Sequence, residues 1–148
     1  MFTPAIFYKQ PKAALRWLEK AFGFEVTLFV EGPDGDERTI HSELGFGGEA
    51  RLTVGGEWAD WVKSPLAVGG GNTQMVRVDV AADIDAHCER ARAAGAVIVE
   101  EPKTQFYGAR TYRCVDLEGH HWTFSQPVQQ LSIAEMEEAG GVKIRSSL

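Results

Sequence analysis

The chain has 148 residues, of which 44% are hydrophobic and 24% charged, and a formal net charge of −6. That length suits one domain with its own core, and the acidic balance argues against a nucleic-acid groove as a global function. No apolar run reaches the about 20 residues that a bilayer span needs, and no charged segment followed by an apolar stretch opens the chain as a secretion signal would.

Ala5 to Tyr8 reads as a short strand. Pro11 stands at a first helical position, and Leu15, Leu18 and Phe22 follow at helical spacing. Gly23 ends this helix as a left-handed cap would. Phe24 to Val30 is a strand, Gly32-Pro33-Asp34-Gly35-Asp36 a turn, Arg38 to Phe46 a strand, Gly47-Gly48 a turn and Ala50 to Val54 another strand. Trp58 to Asn72, ending in Gly69-Gly70-Gly71, reads as a linker.

The same order then returns. Gln74 to Val80 is a strand. Asp83 caps a helix bearing Ile84, Cys88 and Ala91, and Gly95 ends it. Ala96 to Val99 is a strand and Pro102 to Gly108 a loop. A closing hairpin turns at Asp116-Leu117-Glu118-Gly119. Strand–helix–three strands therefore occurs twice, with helix-ending glycines 72 residues apart. Ser132 to Ala139 reads as a short helix with a serine cap, and Gly140-Gly141 opens a loose tail.

Alternation along the hairpin puts Val115, Trp122 and Phe124 on an apolar side and Arg113, His121, Thr123 and Ser125 among the polar positions. The segment Tyr107-Gly108-Ala109-Arg110, followed by Asp116-Leu117-Glu118-Gly119-His120-His121-Trp122, resembles the closing hairpin of the vicinal oxygen chelate superfamily. That superfamily comprises glyoxalases, bleomycin-resistance proteins and extradiol dioxygenases. The likeness looks closest to small PhnB-type proteins, with Leu117 where their pattern has proline. It covers about residues 2 to 127. The stretches Ala13 to Glu25 and Asp83 to His87 are similar to the family's first helix and strand and to the start of its second helix.

The resemblance implies an α+β fold: two βαβββ modules, about 2–57 and 73–127, in one domain over residues 1–128, with a helix and tail over 129–148. The helices would cover the outer side of curved mixed sheets around a cleft. Leu15, Leu18, Phe22, Ile84, Cys88, Trp122 and Phe124 are the expected helix–sheet core.

The superfamily's enzymes place His, Glu or Gln around one divalent ion on the first and last strands of both modules. Here those places hold Thr3 or Ala5, Arg51 and Thr53, Gln74, and Thr123. Hydroxyls and one amide do not neutralise a divalent ion, so no metal and no other cofactor is expected. An altered site built from His41, Glu43 and His121 is the alternative, against the plain reading of an ordinary polar strand face. His87, on a charged helix, reads as solvent-exposed, and His120 as a turn residue.

Arg51, Arg77 and Arg113, with His41, Glu43, Asp79 and His121, are candidates for an inward face. Guanidinium forks match carboxylate or phosphate. A ligand site of Arg51, Thr53, Arg77, Arg113, His121 and Thr123 is therefore expected, with aromatic residues such as Trp58, Trp61, Phe106 and Tyr107 near it. The plain alternative is ion pairing of Arg51 with Glu43 or Glu49 and of Arg77 with Asp79. Trp58, Trp61 and Leu66 offer apolar surface to a second copy, and the resemblance implies a homodimer that combines modules across subunits. Cys88 and Cys114 read as reduced thiols of a cytoplasmic protein. Three functions compete: a metal-free binder of a small anionic or aromatic compound, a metal-dependent lyase, isomerase or dioxygenase, and a regulatory module with a vestigial cavity.

Overall fold

The computed structural model describes residues 2–48 and 50–148. The first module runs β1 (Ala5–Tyr8), α1 (Pro11–Phe22), β2 (Glu25–Val30), β3 (His41–Phe46) and β4 (Ala50–Gly56). The second runs β5 (Met75–Asp79), α2 (Ile84–Ala93), β6 (Val97–Thr104), β7 (Ala109–Val115) and β8 (His121–Pro127), and α3 (Ile133–Gly140) follows. Each module forms a four-stranded mixed sheet, in the orders β1-β4-β3-β2 and β5-β8-β7-β6. In both, the first strand lies parallel to the last and the other pairs are antiparallel. No helix of the described residues is long and apolar enough to cross a membrane.

Two element boundaries differ from the sequence expectation by three residues or more. Residues Glu37–Thr39 form a 3-10 turn instead of the start of a strand. Asp36 explains it: its carboxylate accepts from the Arg38 backbone N–H at 3.0 Å and also binds the Arg38 guanidinium, a local alternative to ladder pairing. The strand expected to end at Val99 runs on to Thr104. β6 is an edge strand, with register shifts on both sides of Glu100. Pro102 lies in this irregular stretch, where a missing N–H is tolerated.

One apolar core joins the modules. All seven expected core residues are buried. Phe22, at the end of α1, packs its ring 5.2 Å from Trp122 and 4.7 Å from Phe124, both on β8 of the other module. Burying side chains of this size contributes about 1.5–3 kcal/mol each. Cys88 and Cys114 are free and buried, and burial pushes their thiols up to about 11 and about 12.

Helix α1 is held at both ends by groups from the second module. It has no acidic residue in its first turn, and the Gln10 side chain makes no cap bond. The Glu118 carboxylate supplies what is missing, accepting from the backbone N–H groups of Lys9 at 2.6 Å and Gln10 at 2.9 Å. At the other end Arg90 donates to the carbonyls of Lys20 and Glu19, both at 2.8 Å. Gly23 closes the helix at φ +79°, and a Cβ there would stand 2.9 Å from the Arg90 guanidinium. Both constraints select glycine.

The expectation of an exposed His87 is corrected: the ring is half-buried between the modules. Its Nε2 lies 2.9 Å from the Phe22 carbonyl, which only accepts, so Nε2 carries the proton and Nδ1 accepts from the Tyr112 hydroxyl at 2.7 Å. Burial, aided by the charge of Arg90, lowers its pKa against the opposing pull of the Phe22 carbonyl.

Two stability predictions follow from these contacts. Glu118→Ala should lower the unfolding free energy by about 1–3 kcal/mol, because two backbone donors lose a charged acceptor. A urea midpoint unchanged from wild type would refute the clamp. His87 is neutral in the native state and has the higher pKa when unfolded, so unfolding takes up protons as pH falls. Its contribution is present above the unfolded value and is lost as pH falls toward the native one. Urea midpoints between about pH 7 and about pH 5 should therefore fall more steeply for wild type than for His87→Gln.

Candidate functional site

With the helices on one side of each sheet, the other side carries the candidate ligand residues. Register fixes which residues share it, since strand neighbours in a pair point the same way. On the first sheet, Ala5, Thr53, Glu43 and Leu28 make one row, and Phe7, Gly55, His41 and Val30 the next. Arg51 lies opposite Gly45. On the second sheet, Arg77, Thr123, Arg113 and Glu100 make one row, with Met75, His121 and Val115 beside it. The expected ligand residues therefore fall into two groups: Arg51 and Thr53 on the first sheet, and Arg77, Arg113, His121 and Thr123 together on the second.

Each arginine has a carboxylate within reach. Arg77 meets Asp79 at 3.0 Å, Arg113 meets Glu100 at 3.5 Å, and Arg51 meets Glu43 at 3.9 Å. Glu49, the other expected partner of Arg51, lies outside the described residues. All three pairs are solvent-exposed, and such pairs contribute about 0–1 kcal/mol. They hold the guanidiniums loosely and leave them open to a competing anion. Thr123 is buried, its hydroxyl 3.0 Å from the Met75 sulfur. Next to it on β8, the buried Ser125 hydroxyl has no partner among the described residues.

His41 and Glu43 share a face of β3, while His121 lies on β8 of the other sheet. Among the described residues no three His, Cys, Asp or Glu side chains gather closely enough to hold an ion. At the strand positions the resemblance points to, the first sheet has Thr3, Ala5 and Thr53, and the second has Gln74 and Thr123. Gln74 is already engaged, its amide donating to the Ala5 carbonyl at 3.1 Å. These residues do not fit a divalent ion, which needs charged or imidazole donors.

The hairpin that carried the family resemblance has a structural task. Asp116 is buried and accepts four bonds: from the Tyr8 hydroxyl at 2.5 Å, from the Trp122 indole at 3.0 Å, and from the backbone N–H groups of Glu118 and His120, both at 3.0 Å. His120 is buried, and its Nε2 donates to the Phe7 carbonyl at 2.7 Å. It is thus more than a turn residue. Sequence reasoning had no signal for these contacts, because their partners lie 108 and 113 positions away.

A crevice of about 860 Å³ opens between the modules. It takes in Arg51 and Arg77 from the expected set, but not Thr53, Arg113, His121 or Thr123. Sequence periodicity could not reveal it, since its walls come from both modules.

The family model of the Glyoxalase/Bleomycin resistance protein/Dioxygenase superfamily matches residues 2–124. The chain belongs to this superfamily. TioX from Micromonospora sp. ML1 is 31% identical, with 86% of this chain and 98% of that one covered and a TM-score of 0.67. An uncharacterised protein of Mycobacterium tuberculosis (strain ATCC 25618 / H37Rv) is 29% identical over 144 residues, covering 93% of this chain and 80% of its own. Glyoxalase I from Zea mays shares the fold, with a TM-score of 0.67 at 17% identity, over 88% of this chain and 45% of the maize chain. Superfamily membership thus rests on both the sequence and the doubled βαβββ topology.

Proposed function

We propose that this protein is a binding member of the superfamily, similar to the small PhnB-type proteins, that takes a small anionic compound with an aromatic or apolar body. The observation that carries this reading is the row Arg77–Thr123–Arg113 on the uncovered face of the second sheet, with His121 beside it. Two guanidiniums flanking a hydroxyl suit a carboxylate or phosphate. They repel a divalent cation, so no metal or other cofactor takes part in this reading.

The second half of the site is supplied by another copy. A homodimer brings the first sheet of one copy, with Arg51 and Thr53, over the second sheet of its partner. Exposed Trp58, Trp61 and Leu66 support this assembly, because apolar surface of this kind favours a protein contact. The protein is read as cytoplasmic, supported by its two free, buried cysteines.

The alternative is a metal-dependent lyase, isomerase or dioxygenase with an altered ligand set, in which His41 and Glu43 of one copy meet His121 of the other. Metal analysis of protein purified without a histidine tag separates the two readings. Stoichiometric nickel, zinc, manganese or iron would replace the binding reading with the enzyme.

Arg113→Met keeps most of the side-chain volume and removes the charge. With 1-naphthoate as probe, calorimetric titration should show about a tenfold or greater loss of affinity in this variant, at an unchanged unfolding midpoint. Equal affinity for both proteins would refute the site. Sedimentation at micromolar concentration should show a dimer; a single species at the 16.3 kDa chain mass would refute the shared cavity.

A further inference from the structure

The crevice between the modules shares Arg51 and Arg77 with the site proposed above but none of Thr53, Arg113, His121 or Thr123. Its walls take in core-facing Leu52, Val76 and Val78 and, from the opposite side of the same strands, Arg51, Arg77 and Asp79. Phe24, Leu44, Phe46 and Leu52 come from the first module, and the unbroken stretch Val76 to Ala81 from the second. That stretch is the last four residues of β5 and the two after it, and β5 is an edge strand of its sheet. Four strand residues at about 3.3 Å each make a wall of about 13 Å. The crevice is therefore long as well as apolar, and its volume of about 860 Å³ falls in the range of small-molecule sites.

Charge is added at the rim. Among the described residues the lining has two guanidiniums, Arg51 and Arg77, against one carboxylate, Asp79. This local excess of positive charge belongs to a chain of net charge −6. Among the described residues both arginines are bound only by the exposed pairs described above, at 3.9 Å and 3.0 Å. An arriving carboxylate can compete with such partners.

We propose that this crevice is a second ligand site, for a medium-chain monocarboxylate. The hydrocarbon chain lies along β5 between the two modules, and the carboxylate meets Arg51 and Arg77 at the rim. Length selects a chain over a compact ring, and the guanidiniums select an anion over a neutral or cationic amphiphile. The proposal does not rest on the sheet-face site or on dimerisation.

Ala50 and Ala81 both line the crevice and are both exposed, so tryptophan at either position fills it from the solvent side without entering the core. Decanoate is titrated calorimetrically into the full chain and into Ala50→Trp, Ala81→Trp, Arg51→Met and Arg113→Met, with 1-decanol as the neutral comparison. The expected result is decanoate binding weakened about tenfold or more by each of the first three substitutions and by loss of the charge in decanol, and weakened less by Arg113→Met. Undiminished binding in both tryptophan variants overturns the proposal. So does a loss in Arg113→Met equal to that in Arg51→Met, which would move decanoate to the sheet face. Equal affinity for decanol removes the role of the arginines. A change in sedimentation of either tryptophan variant without ligand would assign the crevice to a second copy of the chain, and that result also overturns it.

Discussion

Helix α1 takes groups from the second module at both of its ends, and that dependence ties the two modules together. Its start lacks an acidic residue and a side-chain cap, and Glu118 brings a carboxylate there from the far hairpin. Its end meets Arg90 and His87 of α2, two donors aimed at its last carbonyls. Negative charge at the start and donors at the end both suit the helix dipole. The modules are therefore not two domains joined by a linker. Either one alone would leave the start of α1 without its carboxylate and Asp116 without the Tyr8 hydroxyl. The core sides of both sheets are committed to this union.

That commitment explains why charge gathers where it does. The core sides carry Ile6, Leu44, Leu52, Val78, Trp122 and Phe124, while the register rows on the opposite sides carry all three candidate arginines. Each of these arginines has a carboxylate close by in its own sheet. These exposed pairs stabilise the fold little.

The fold was legible in the sequence because its signals are local and occur twice. Pro11 and Gly23, then Asp83 and Gly95, punctuate the two helices, and alternation marks the strands. Boundaries failed where local chemistry competed with the ladder, at Asp36–Arg38, or where a register shift accommodated Pro102. The candidate site was legible only as a set of faces. Alternation correctly put Arg77, Arg113, His121 and Thr123 on one side of one sheet, but a period of two cannot say which sheet another sheet meets. His87 looked exposed because its helix neighbours are charged. Its half-burial comes from Phe22 and Tyr112, which lie 65 and 25 residues away.

The closing turn shows how far a family motif informs function. Asp116, Glu118 and His120 are the polar residues of the turn itself, and all three are consumed: by Tyr8 and Trp122, by the start of α1, and by the Phe7 carbonyl. Leu117, where the related pattern has proline, is exposed, so the change touches only the stiffness of the turn. A turn whose polar side chains are committed to joining two modules reports the fold and leaves the function open. The positions where the superfamily's enzymes place metal ligands are a separate matter. At those positions the chain has arginine and threonine in place of the histidine and carboxylate a metal would need.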